Sequence, residues 1–81
     1  MSIDYAGIGK RIKMFRQKLG LSQEQLSEQA GLTPAHLSHI ETGNTKASLP
    51  TLVNLAEALG VSMDDLLVDS IDKTKHVSLF L

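Results

Sequence analysis

Apolar positions along the chain recur at helical spacing and are punctuated by glycines. Ile8, Ile12, Phe15 and Leu19 fall at i, i+4, i+7 and i+11, which predicts an amphipathic helix from near residue 4 to residue 20, its opposite face basic. Ser22 followed by Gln25 is a capping-box pattern; it opens a second helix in which Leu26 and Ala30 face inward and which Gly31 ends. A third helix is predicted over 34–42. Thr33 supplies the cap oxygen, Pro34 occupies the first helical position where its missing N–H costs nothing, and Gly43 with Asn44 suits the left-handed turn that stops a helix. Leu49, Leu52, Val53, Ala56 and Leu59 stripe a fourth helix between a Ser48 cap and Gly60, with Pro50 tolerated in its first turn. Ser62 and Asp65 repeat the capping box, and a short fifth helix over about 63–68 offers Leu66 and Leu67 to the core. Periodicity is then lost until the last residues, where Val77, Leu79 and Leu81 alternate with His76, Ser78 and Phe80. That end reads either as strand-like or as a frayed terminus.

The third helix is short, and its two faces differ. At 100° per residue Leu37, Ile40 and Glu41 share one side, while Ala35, His39 and Thr42 share the other, flanked by His36 and Ser38. Only the first side can be core. The second carries small or polar groups and leaves the helix slim enough to approach another surface closely.

Composition narrows this picture to an all-α domain. With 81 residues, 42 % hydrophobic and only 4 % aromatic, the chain supports one small aliphatic core. Zero cysteines exclude a disulfide framework and a thiolate metal site, and an intracellular, cytoplasmic setting is the simplest fit. No apolar run approaches the roughly 18 residues of a membrane helix, so no membrane partner is expected. The formal net charge of -1 looks poor for a nucleic-acid binder, but it is unevenly distributed: residues 1–60 carry +1 and residues 61–81 carry -2.

Two short helices joined by a turn at Gly31, the second with a slim polar outer face, meet the physical specification of a helix-turn-helix. The segments LGLSQEQLSEQAGLTPAHLSHIETGN and SLPTLVNLAEALGVSMDDLL resemble the lambda-repressor/Cro-like, or XRE, helix-turn-helix family over about residues 6–68. The resemblance implies a five-helix lambda-repressor-like DNA-binding domain over 1–68, with 69–81 as a short C-terminal tail. It implies that helix 34–42 is the recognition helix in the major groove, and that the protein is a transcriptional regulator, a repressor by preference.

Carried over by position, Gln23 matches a phosphate-binding glutamine, Ala35, His36, Ser38 and His39 match base-facing positions, and Thr42, Asn44 and Lys46 match positions that grip the backbone. Thr33, at the helix start, completes this DNA-binding set. Two positions depart from the family pattern. Ala47 stands where a further cation is common, and Pro34 where a hydrogen-bonding side chain is common, so weaker binding per subunit is expected. The basic residues Lys10, Arg11, Lys13 and Lys18 are read as a solvated face before they are read as DNA contacts. Arg16 is expected to pair with Glu41, because an unpaired carboxylate on the inner face of helix 34–42 would be costly and family members carry a similar pair.

Other chemistries find less support. His36 and His39 lie at a spacing compatible with joint metal ligation, but Glu41 faces the other way, so no metal site is expected. No glycine-rich phosphate loop, catalytic carboxylate pair or activated nucleophile occurs, and neither an enzyme nor a cofactor is expected. The rival from another class is a protein-interaction module such as an antitoxin or coactivator component. For a DNA binder with so few cations a homodimer is expected, joined through Met63, Leu66 and Leu67 or through Val77, Leu79 and Leu81.

Overall fold

Each helix begins on a side chain that accepts a backbone N–H of its own first turn. Asp4 does this for α1 (Tyr5–Lys18), Ser22 for α2 (Gln23–Ala30), Thr33 for α3 (Pro34–Thr42), Ser48 for α4 (Leu49–Leu59) and Ser62 for α5 (Met63–Leu67). The structure, a computed structural model, describes residues 3–68. Both capping boxes read from sequence are formed: Ser22 N–H donates to Gln25 Oε1 at 2.8 Å and Ser62 N–H to Asp65 Oδ2 at 2.9 Å. The described residues are all-helical, as the sequence implied; the expectations for Val77, Leu79 and Leu81 fall outside them.

Helix ends repeat one device. After Gly20, Gly31 and Gly60, all at positive φ, the next residue returns its N–H to a carbonyl five positions back: Leu21 to Arg16 at 3.1 Å, Leu32 to Ser27 at 2.8 Å and Val61 to Ala56 at 3.0 Å. Leu21, Leu32 and Val61 then pack against the core, so each stop also aims the chain inward. Gly43 makes the same turn, with Asn44 N–H to His39 O at 2.9 Å, but there the following residue is polar and exposed. The end of α3 is thus directed outward.

The core is aliphatic and central: Ile8, Ile12, Leu26, Leu37, Ile40, Leu55 and Leu66 are fully buried. α1 packs along α3, α2 packs on α3 and α4, and α5 closes against α1 and α4. Four expectations change. Leu19 is exposed, because it lies at the cap beyond Lys18 where the chain turns away through Gly20, and Leu21 takes the apolar position instead. On α4 the buried stripe is Leu52, Leu55, Ala56 and Leu59, an i, i+3, i+4, i+7 set that leaves Leu49 and Val53 outside it and exposed. Leu66 is fully buried and cannot form a dimer surface, whereas Met63 and Leu67 are half-buried. Ala47, read as an empty cation position, is part of the core at 5 % exposure; a charged side chain there would have to be buried.

Candidate nucleic-acid interface

The placement of α3 starts with a residue that has no side chain. A Cβ on Gly9 would lie 2.1 Å from the carbonyl oxygen of Ile40 and 2.8 Å from that of Glu41, so only glycine lets the α1 backbone rest on the last turns of α3. A second close approach follows at Gly43, where a Cβ would meet the Ala6 Cα at 2.9 Å. The start of α1 and the end of α3 are therefore in backbone contact. Leu37 and Ile40 fill the same interface with apolar volume, both buried.

One charged pair fixes the rotation of α3 about its axis. Glu41 is 4 % exposed and accepts from Arg16 through both oxygens, Nε to Oε2 at 2.7 Å and Nη2 to Oε1 at 3.1 Å. The remaining guanidinium nitrogen, Nη1, donates to Leu21 O at 2.8 Å, and Gln23 Nε2 donates to Glu41 Oε1 at 3.0 Å. The pairing of Arg16 with Glu41 is thus observed as expected. The same carboxylate also reaches the first residue of α2, a contact that helical spacing does not predict. α1, α2 and α3 are joined at a point from which water is largely excluded. Among the described residues no buried side-chain nitrogen or oxygen lacks a hydrogen-bond partner.

With the inner face held, the outer face is left to solvent. Ala35, His39 and Thr42 are exposed, and His36 and Ser38 are half-buried at its edges. Thr33 Oγ1 accepts the His36 N–H at 3.1 Å, and Thr42 Oγ1 turns back to the carbonyls of Ser38 and His39 at 3.1 and 3.2 Å. Both hydroxyls thereby serve the helix as well as facing outward. Gln23 is half-buried, and one of its two amide hydrogens goes to Glu41, leaving the other N–H as a donor that the carboxylate orients.

Beyond α3, Asn44 is exposed and Lys46 places its ammonium 5.8 Å from the centroid of the Tyr5 ring. Arg11 stands apart from this group, since its Nε donates to Asp65 O at 2.8 Å and ties α1 to α5. Lys10, Lys13 and Lys18 are exposed on α1. Periodicity gives neither the close approach at Gly9, nor the packing of Gly43 on Ala6, nor the Tyr5 ring beside Lys46. For Gly9 a signal was present, because a glycine inside a helix costs about 1 kcal/mol relative to alanine and so asks for a packing reason.

The helix-turn-helix family model matches residues 12–66, which span α2, the turn, α3 and the Arg16–Glu41 pair. The chain belongs to the helix-turn-helix family. Within that family it is 41 % identical over 56 residues to the immunity repressor protein of Bacillus phage phi105, an alignment covering 69 % of this chain and 39 % of that protein. SinR of Bacillus subtilis, an HTH-type transcriptional regulator, is 39 % identical over 61 residues, covering 74 % of this chain and 55 % of that one. The chain therefore spans only about two-fifths to just over half the length of these two curated relatives.

Solved structures give the same fold. The restriction-modification controller protein C.AhdI from Aeromonas hydrophila superposes with a TM-score of 0.75 at 33 % identity, covering 78 % of this chain and 96 % of that one. SinR in complex with DNA superposes with a TM-score of 0.70 at 38 % identity, covering 74 % and 97 %. The fold class implied by the sequence, a lambda-repressor-like helical domain, is the fold observed.

Proposed function

We propose that the protein is a sequence-specific DNA-binding transcriptional regulator, a repressor, that reads the major groove with α3. The observation that carries this reading is the opposition of the two α3 faces. Glu41 is pinned by two Arg16 bonds on one side, while Ala35, His39 and Thr42 stand exposed on the other. A helix so held can present small and hydrogen-bonding groups to base edges at a fixed angle. The phage phi105 relative named as an immunity repressor, and SinR solved on DNA, support it.

In this reading His39 and His36 donate or accept at base edges or donate to adjacent phosphates, Ser38 hydrogen-bonds, and Ala35 meets a thymine methyl. Gln23 uses its second amide N–H on a phosphate, beside the positive end of α2. Thr33, Thr42, Asn44 and Lys46 hold the backbone on either side. The role is binding rather than catalysis, on double-stranded DNA and in the cytoplasm. No helix among the described residues is long and apolar enough to cross a membrane.

The active species is a homodimer on a two-fold-related site, since one module with few cations gains little from phosphates alone. Half-sites about one helical turn, roughly 34 Å, apart match that symmetry. In this reading the chains join at the α5 end, where Met63 and Leu67 are half-buried and keep part of their apolar surface open to a partner. Selection of bound sequences from a random duplex pool tests the function: enrichment of one two-fold-related sequence supports it, and a pool that stays random after repeated rounds overturns it.

A further inference from the structure

We propose that Tyr5 is a positioning residue for DNA binding: its ring is the platform that holds the Lys46 ammonium where a phosphate will lie. The inference rests on the reading of α3 and its following loop as the DNA-binding surface. Three observations carry it. Lys46 Nζ lies 5.8 Å from the Tyr5 ring centroid, within the range of a cation–π contact. The ring is itself fixed, because Tyr5 is half-buried, packs against the core and starts α1 one residue after the Asp4 cap. The loop that carries Lys46 is fixed to the same place, since Gly43 rests against Ala6, the neighbour of Tyr5. Ring and lysine are therefore registered by the backbone rather than by chance encounter of two surface side chains.

The physical gain is preorganisation. A free lysine must give up the rotamer freedom of its four-carbon stem when it grips a phosphate. A ring beneath the ammonium removes part of that freedom beforehand. It does not use up the charge, because the ammonium has three N–H donors and one directed at the ring face leaves two for oxygen. Tyr5 touches no DNA in this arrangement; it acts through Lys46. The phenol hydroxyl has no part in it, so phenylalanine should serve as well.

The two roles separate in the salt dependence of binding. Titration of a duplex over a series of salt concentrations gives a slope that counts neutralised phosphates, and Lys46→Gln should lower that slope by about 0.9. Tyr5→Leu should leave the slope unchanged and weaken binding about two- to fivefold at every salt concentration, the usual worth of an exposed cation–π contact. Tyr5→Phe should restore wild-type affinity. In a Lys46→Gln background Tyr5→Leu should have no further effect, a coupling that loss of α1 packing alone would not produce. Tyr5→Leu binding as tightly as wild type, or more tightly, overturns the platform role while leaving the DNA-binding reading intact. So does a Tyr5→Phe variant as weak as Tyr5→Leu. A wild-type protein with no salt-dependent binding overturns both.

Discussion

Glu41 shows how much one side chain decides. Its carboxylate is buried with Arg16 on both oxygens and Gln23 on one, so removing it strands a guanidinium in a site that water barely reaches. Glu41→Ala should destabilise the fold by about 3 to 5 kcal/mol, the usual cost of breaking a buried pair, measured by denaturant or thermal unfolding. An unchanged melting temperature would contradict the role assigned to the pair. Gly9 is the second such residue. Gly9→Ala gains about 1 kcal/mol of helix propensity, but its Cβ would lie 2.1 Å from Ile40 O, so backbone must move and the net change should be a loss. A Gly9→Ala protein more stable than wild type would show that α1 and α3 can separate at no cost.

At this scale the sequence was legible wherever the signal was local. Caps and left-handed glycines sit within a few residues of what they control, and the inner face of α3 follows from angular spacing alone. Ala47 and Leu55 were not legible, because whether an alanine near a loop or one leucine among several is core depends on which distant helix covers it. Tyr5 was missed for the same reason: Lys46 lies forty-one positions along the chain, and no periodicity links them.

Among the elements, α3 carries the functional claim and α5 the pH-dependent one. Ala35 is exposed, so Ala35→Glu should keep the helix and the melting temperature while abolishing duplex binding through bulk and charge repulsion. His39→Ala should relax preference at one position of the half-site by about 1 to 3 kcal/mol, read by comparing affinities for duplexes changed at that position. Identical preferences for wild type and His39→Ala would remove His39 from base reading.

At the start of α5 the Asp65 carboxyl is held below its ordinary value of 3.8, first by the Ser62 backbone N–H, then by the Ser62 hydroxyl and by the charge of Arg11. A depressed folded-state value means that the charged cap stabilises α5 above the ordinary value. That contribution fades as pH falls through the lower folded value. The difference in melting temperature between wild type and Asp65→Ala should therefore be constant above about pH 5 and shrink below about pH 4. A difference that grows on acidification would contradict this cap. The element boundaries themselves were nearly all readable in advance, because serine or threonine caps and glycine stops bracket α2, α3 and α4. The stripe on α4 was readable only in part: Leu49 and Val53 satisfy the spacing as well as Leu52 and Leu55, and tertiary packing chose between them.

At the scale of the whole molecule, the described residues form a small helical body whose core orients one short helix outward. α1 supplies the base, through Gly9, Ala6 and Arg16; α2 supplies the approach, through Gln23; and the polar end of α3 at Asn44 departs from the inward-turning ends of α1, α2 and α4. The family match and the solved relatives agree with that architecture. Sedimentation should show a homodimer at concentrations where DNA is bound, and two chains per two-fold site; a monomer with one chain per site would contradict the dimer. Partnership was the least legible property. The surfaces that join chains have no partner in sequence space, and Leu66, a natural choice by hydrophobicity, is consumed by the core. Titrating a selected duplex with wild type and Ala35→Glu over a series of salt concentrations shows whether the outer face of α3 binds DNA. Wild type should show a steep fall of log affinity with log salt and the folded variant no measurable binding; equal binding by the two proteins, or a flat salt dependence for wild type, would contradict DNA binding by this face.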